Sequence, residues 1–479
     1  MVMSPRLKWL GLALLGAVQF MVVLDIAIVN VALPSIQKDL DFSQANLQWV
    51  ISAYALVFGG FLLLGGRTAD LLGRRRIFML GLIAFTVGSL LCGLAWSETS
   101  LIGARAIQGL GAATISPAAL AILMTTFSEG RERNIALGVW GAVGGFGAAA
   151  GVLLGGVLTD SLSWEWIFFV NIPVGIAAFL LAPVLLGESR DTRVKSFDAL
   201  GAVLVTAGLS ALVLGITQGH EWGWGSGRVV GIFAASVALL AGFVAWETRV
   251  AEPLMRFGIL RTKTVAGANV AGFILGTALF SMFLMLTLYM QQVLGYSAMK
   301  TGVAYLAVAG TSIIWANVAA ALVNKVGVRP LIAGGMAILT VGMLLFTQVS
   351  VGGSYAADLL PGFLLVALGM ALCFVPISIA ALAGVRQAEA GLASGLINTS
   401  QQIGGAVGIA LLSTIAITRT ENEVAAGTAL PNALTAGFHY AFWAGAGIAL
   451  LGVVAALALI REEELAVAPH VEPVFEAAA

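Results

Sequence analysis

Apolar runs of roughly 18–25 residues, each long enough to cross the hydrocarbon core of a bilayer as a helix, recur about fourteen times along this chain. That repetition fixes the solvent before anything else is known: most of the molecule must face lipid. Only 10% of the 479 residues are charged and 59% are hydrophobic, whereas ordinary soluble domains are about 25% charged. No polar stretch is long enough to fold alone, the longest being 188–195, 418–436 and the tail after Arg461. The predicted fold class is an all-α polytopic membrane protein, and whatever it does takes place within the membrane.

The spans are predicted near 9–31, 47–70, 77–95, 101–127, 136–158, 167–186, 197–217, 229–246, 265–291, 302–323, 330–349, 359–382, 394–416 and 438–460. An even count places both termini on one side. One set of loops and tails holds Arg6, Lys8, Arg67, Arg74, Arg75, Arg76, Arg131, Arg133, Arg190, Arg193, Lys195, Arg249, Arg256, Arg261, Lys263, Lys325, Arg329, Arg386 and Arg461, while the other holds Lys38, Arg228, Lys300 and Arg419. Positive charge accumulates on the cytoplasmic side, so both termini are expected there. Arg6 and Lys8 precede the first run and no small-residue cleavage site follows it, which makes it a retained span. Cys92 and Cys373 lie inside apolar runs, so neither a disulfide framework nor a thiolate metal site is expected.

A faint internal repeat is visible. At a shift of 254 residues Asp70 falls on Asn324, Gly73 on Gly327 and Arg75 on Arg329; at 257, Gly147 and Gly151 fall on Gly404 and Gly408. This predicts two six-helix bundles with spans 7 and 8 inserted between them. The expected organisation is an N-terminal bundle at 1–190, an inserted helix pair with linkers at 191–260, a C-terminal bundle at 261–462 and a cytoplasmic tail at 463–479. Aromatic residues between the inserted spans, Trp222 and Trp224, read as an outer interfacial belt, and 418–436 as an outer linker.

The loop after span 2 packs Gly66, Asp70, Gly73, Arg74, Arg75 and Arg76 beside the basic face. Glycine permits the turn, and Asp70 accepts charge-assisted bonds from arginine, so the cluster is expected to gate the cytoplasmic side by latching the bundles together. Its spacing resembles the signature loop of the major facilitator superfamily. Leu24, Asp25, Asn30, Ala32, Leu33 and Pro34 at the end of span 1, Gln48, Trp49 and Tyr54 in span 2, and Arg105, Gln108, Gly109 and Gly111 in span 4 are similar to the motifs of that superfamily's fourteen-span drug:proton antiporters. Trp164, Trp166, Asn171, Pro173 and Gly175, with Gln291 and Gly295, agree with the same family. The chain departs from it at Val152, where the family has proline, at Glu165, where arginine is usual, and at Ala307. Gly147, Gly151, Gly155 and Gly156 keep the glycine surface for close helix packing.

The resemblance implies a proton-coupled exporter of lipophilic, neutral or monocationic drugs or antibiotics, working by alternating access in the bacterial plasma membrane. It implies a monomer whose partners are a small-molecule substrate, protons and the lipid bilayer, with no nucleic acid. A dedicated exporter of one self-made metabolite, or an importer on the same scaffold, is the alternative.

Charged groups within spans are costly and mark function. Asp25 is the only acid well inside a span and Arg105 the only deep base, and counting along spans 1 and 4 puts both in the outer half of the bilayer. The expectation is that Asp25 and Arg105 couple proton release to cargo binding. A fixed structural ion pair is the other reading. One deep carboxylate favours exchange for about one proton. The C-terminal half has no deep acid, so its substrate contacts are expected to be polar and aromatic: Tyr54 and Phe58 facing Asn269, Phe273, Tyr289, Tyr305, Asn398 and Gln402. His220, His439 and His470 have no metal-ligand spacing, and no phosphate-binding glycine loop is present. The chain is therefore expected to be no enzyme and to hold no metal and no cofactor, and the resemblance implies that a proton gradient is its energy source.

Overall fold

The computed structural model describes residues 5–127, 131–190, 198–251, 253–255, 257–383, 385 and 390–465; Arg193, Lys195, Arg256, Arg386, His470 and the tail past 465 fall outside that description. All regular structure in the described residues is helical. The first half comprises α1 (Pro5–Asp39), a short α2 (Gln44–Leu47), α3 (Trp49–Leu72), α4 (Arg74–Gly93), α5 (Glu98–Thr126), α6 (Arg131–Ser161), a short α7 (Trp166–Phe169) and α8 (Asn171–Leu185). The inserted pair is α9 (Ala199–Trp222) and α10 (Gly227–Glu247). The second half comprises α11 (Lys263–Leu288), α12 (Ala298–Val326), α13 (Val328–Phe346), α14 (Leu360–Ala380), α15 (Ala390–Ala425), α16 (Leu430–Leu459) and a short α17 (Glu462–Leu465). Thirteen helical segments are long and apolar enough to span a membrane, and α6, at 31 residues, stands where the fifth span was predicted, with Ala149–Ser161 as its described apolar part.

Two local devices recur in both halves. Gly73 joins α3 to α4 at φ 115° and Gly327 joins α12 to α13 at φ 91°, a region where a side chain is strained. Beside each stands a glutamate from just beyond the last long helix of its half. A Cβ at Gly73 would lie 2.8 Å from Glu188 Oε1, and one at Gly327 would lie 2.6 Å from Glu462 Oε1. Arg75 Nη1 donates to the Leu186 carbonyl at 3.0 Å, and Arg329 Nη2 to the Leu457 carbonyl at 2.5 Å. The second device is glycine packing. Gly147, Gly151 and Gly155 of α6 sit over the Phe20, Leu24 and Ile28 carbonyls of α1, as Gly404 and Gly408 of α15 sit over the Phe273 and Thr277 carbonyls of α11.

The halves meet where α3 faces α15 and α6 faces α12. The hydrogen bonds described between them all lie at the end away from the arginine-rich loops. Gln291 Nε2 donates to the Val31 carbonyl at 2.8 Å and Gln292 Nε2 to Gln37 Oε1 at 3.1 Å. The Asp160 carboxylate, at the end of α6, accepts from the Ala298 and Met299 amides at 3.2 and 2.8 Å, placing a negative charge on the positive N-terminus of α12. Gly156 permits the approach: a Cβ there would lie 2.6 Å from Met299 Cα.

The inserted pair covers one of these seams. Leu209 and Val213 of α9 pack with Ala55 and Leu56 of α3 and with Ala406 and Ala410 of α15. Gln218 Nε2 donates to Asn46 Oδ1 at 2.9 Å, and His220 lies 2.5 Å from Glu421. Helix α10 leans on α9 through Ser236, whose hydroxyl donates to the Gly208 carbonyl at 2.8 Å. The long linker expected at 418–436 is not there: α15 runs on to Ala425 and α16 starts at Leu430. Polar residues sustain those turns, with Arg419 paired to Glu423 one turn on and the Thr420 hydroxyl bonded to the Ala416 carbonyl.

Two outcomes follow from this packing. Replacing Asp160 by Ala removes a helix-end charge and two hydrogen bonds worth about 1 kcal/mol, so the population separated at this end should rise roughly fivefold; spin labels at exposed Leu162 and Lys300 report it as a longer distance component. At the other end Glu464 accepts from the Thr264 amide at 2.8 Å, and hydrogen bonding to Thr264, helped by Arg461, holds its pKa below the ordinary glutamate value. A depressed folded pKa means the staple is complete above the unfolded value and fades as pH falls through the folded one. Melting of Glu464→Gln should accordingly fall less than wild type between about pH 6 and pH 4.

Candidate functional site

Span 1 carries its acid in a stretch that is otherwise apolar, and the fold turns that acid inward. Asp25 is 0% exposed and Arg105 1% exposed. Arg105 Nη1 donates to Asp25 Oδ2 at 2.6 Å and to Gln108 Oε1 at 2.6 Å, while its Nε donates to the Val50 carbonyl at 2.9 Å. The other carboxylate oxygen, Asp25 Oδ1, accepts from Gln108 Nε2 at 2.6 Å and from Asn171 Nδ2 at 2.8 Å. Ser89 Oγ accepts from Gln108 and Asn171 at 2.8 and 3.3 Å. The Tyr54 ring covers the guanidinium at 4.3 Å and the Phe168 ring lies 5.7 Å away.

Five elements of the N-terminal half converge on this carboxylate, and none of the second half does. Small residues make the convergence possible. A Cβ at Gly109 would lie 2.7 Å from the Tyr54 carbonyl, one at Gly88 would lie 2.8 Å from the Gln108 amide, and one at Gly151 would lie 2.9 Å from the Leu24 carbonyl beside Asp25. The expectation from sequence is that Asp25 and Arg105 couple proton release to cargo binding. Among the described residues the hydrogen-bond partners of Asp25 all come from its own bundle, one on Oδ2 and two on Oδ1. Gln108, Asn171 and Ser89 were not assigned to the site from sequence, although each is a polar residue within an apolar run, the same signal that picked out Asp25.

The arginine-rich loop has a different geometry from the expected latch. Arg74 Nε donates to Asp70 Oδ1 at 2.8 Å, one turn away. Arg75 and Arg76 turn instead to Glu188, each at 3.9 Å, and the Arg74 amide donates to the Ser189 carbonyl at 3.0 Å. Gly66 packs against the Pro117 ring of α5. All these partners belong to the N-terminal half, so the described contacts tie α3 and α4 to α5 and the end of α8 and do not bridge the bundles.

The residues expected to contact substrate lie in several different surroundings. Tyr289 donates its hydroxyl to the Ser350 carbonyl at 2.7 Å, and Tyr305 donates to the Phe283 carbonyl at 2.9 Å, inside a cluster with Phe346, Phe363 and Phe442. Asn269 Oδ1 accepts from Ser400 at 3.0 Å, joining α11 to α15. Asn398 is exposed and bonded to its own helix, and Phe273 lends its carbonyl to the Gly404 contact. Gln402 of α15 faces the other half, its Cβ 3.1 Å from where Gly59 of α3 would carry one. Tyr54 and Phe58 pair with each other at 5.7 Å beneath Arg105. Long apolar runs hide which aromatic side chains fill a core. Val152, where the resembled family has proline, lends its carbonyl to the close approach of Gly302 across the α6 and α12 seam.

If the internal ion pair holds this bundle together, Arg105→Ala should destabilise it by about 3–5 kcal/mol, since an uncompensated buried carboxylate remains. Tyr54→Phe should cost under about 0.5 kcal/mol, because the Tyr54 hydroxyl has no partner to lose. Thermal unfolding of the purified variants gives the ranking, and equal losses would contradict it.

Comparison with known proteins adds to this geometry. The model of the Major Facilitator Superfamily matches residues 15–409. The puromycin resistance protein pur8 of Streptomyces alboniger is 40% identical over 464 residues, covering 95% of this chain and 92% of that one. The cephamycin export protein CmcT of Amycolatopsis lactamdurans is 42% identical over 410 residues, covering 85% and 84%. Among solved structures, a bacterial homolog of the human lysosomal transporter Spinster, in an inward-facing and unoccupied conformation, superposes with a TM-score of 0.68 at 16% identity over 97% of this chain and 98% of that one.

Proposed function

Since the chain belongs to the Major Facilitator Superfamily, we propose that it is a proton-coupled exporter of lipophilic, neutral or monocationic antibiotics, and that Asp25 carries the proton. The observation that bears most of this reading is the burial of Asp25 against an arginine of its own bundle. As a carboxylate it accepts from three donors, Arg105, Gln108 and Asn171. Protonation at Oδ2, whose described donor is Arg105, discharges the carboxylate and weakens the charge-assisted bond that holds the guanidinium. Arg105 is the group with somewhere to transmit that change. It also holds the Val50 carbonyl of α3, and α3 is the helix that faces α15 across the bundles. Proton occupancy and the seam are thereby linked through one guanidinium, with cargo bound elsewhere between the halves.

The hydrogen bonds between halves fall at one end. With the basic loops taken as cytoplasmic, that end is the outer one, the termini are inside, and the structure is closed to the exterior. Counting α6 as a crossing gives fourteen spans around a monomer whose energy source is the proton gradient, with no bound cofactor in the cycle.

A second reading is favoured by the relatives' names. Both pur8 and CmcT are named for a single antibiotic, which supports an exporter dedicated to one compound class as much as a broad one. Export of a panel that includes puromycin and a cephamycin from cells separates breadth from dedication. For the coupling role, proteoliposomes under an imposed proton gradient should show Asp25→Asn losing concentrative transport by at least about tenfold while substrate still binds. Full gradient-driven transport by that variant would remove Asp25 from the mechanism.

A further inference from the structure

Away from the Asp25 network, at the end where the halves are joined, lies a cavity of about 440 Å³. Its wall takes Leu47 and Gln48 from the first half, Leu288 from α11, Ser413 and Glu421 from α15, and Phe438 from α16. The volume is within the range of sites for drug-sized molecules, roughly 300–1,000 Å³. None of the residues expected from sequence to bind substrate lines it.

Most of the wall is hydrocarbon, which makes its polar atoms informative. Gln48 is 2% exposed and Ser413 4% exposed. Gln48 Nε2 donates to the Ala45 carbonyl at 2.9 Å, so the amide orientation is set and the remaining atom is the Oε1 acceptor. Neither Gln48 Oε1 nor Ser413 Oγ has a hydrogen-bond partner in the structure. A buried polar atom left this way costs about 1–3 kcal/mol, and here the two residues that carry them both belong to the wall of one apolar cavity, the atoms themselves lying just beneath its surface. Thr420, also in the wall, is different, because its hydroxyl is already bonded to the Ala416 carbonyl. At the rim the Glu421 carboxylate supplies negative charge and is met by His220 from the inserted pair.

We propose that this cavity is a second small-molecule site, built for a lipophilic, neutral or singly cationic compound that donates an N–H or O–H hydrogen bond to Gln48 Oε1. It lies outside the proton-binding network, and the inserted helices complete its edge through His220. A ligand here binds across the joined halves, with Gln48 on one side and Ser413 on the other, and so favours the closed outer end.

The test uses the purified full-length protein in lipid nanodiscs with no gradient, so its result does not depend on whether Asp25 couples transport. Equilibrium binding is measured with ethidium, a planar lipophilic cation carrying aromatic amines, and with tetraphenylphosphonium, a lipophilic cation with no N–H. Wild type should bind one more ethidium than Ala416→Trp, whose ring fills the cavity. Gln48→Leu should weaken that component roughly tenfold, equivalent to about 1.4 kcal/mol, and leave tetraphenylphosphonium binding unchanged. Ser413→Leu, a smaller intrusion, repeats the filling test should the tryptophan variant fail to fold. Unchanged ethidium binding in the folded filling variants, or an equal loss of both cations in Gln48→Leu, would overturn the assignment.

Discussion

A carboxylate and a guanidinium held 2.6 Å apart with no solvent around them set the terms for this molecule. In the membrane interior neither charge can be left alone, and removing either partner costs several kcal/mol. The sequence around the pair answers that constraint residue by residue. Gln108 and Asn171 fill the remaining acceptor positions, Ser89 ties those two amides together, Tyr54 and Phe168 cover the cation, and Gly88, Gly109 and Gly151 let the surrounding helices come close enough to do so. The N-terminal bundle is organised around a polar centre in a way its partner bundle is not. Where Gly408 abuts the Thr277 carbonyl, as Gly151 abuts that of Leu24, the residue corresponding to Asp25 is Ala278. A duplicated scaffold therefore carries its ionisable centre in one copy only.

Hydropathy made the spans legible because a bilayer demands long apolar helices and little else imitates them. Loop chemistry was legible for a related reason: Gly73 and Gly327 are required by backbone geometry, and each brings an arginine two residues later to a helix-end carbonyl. The pairing of Asp25 with Arg105 could be anticipated from depth alone. What hydropathy conceals is the direction in which a side chain points. Tyr289, Tyr305 and Asn269 looked like cavity residues because they are polar groups on apolar helices, yet each is consumed by packing within its own bundle. The length of α15 was hidden as well, since Arg419, Glu421 and Glu423 read as a solvated linker although they extend a helix.

The glycine-rich seams show how close packing and movement coexist. Gly156 against Met299, Gly302 against Val152 and Gly59 against Gln402 bring the helices into close contact across the two halves. Surfaces of this kind resist compression and offer little against separation. The specific bonds that oppose separation, through Asp160, Gln291 and Gln292, are few and lie at one end.

The placement of α9 breaks the symmetry that the two bundles would otherwise have. It lies against α3 and α15, while no contact with the inserted pair is described for α6 or α12. One seam is thus covered by the inserted pair, and among the described residues the other is not. Any tilt of one bundle against the other must therefore drag or shear α9 along the seam it spans, a friction that the described contacts of the opposite seam do not impose.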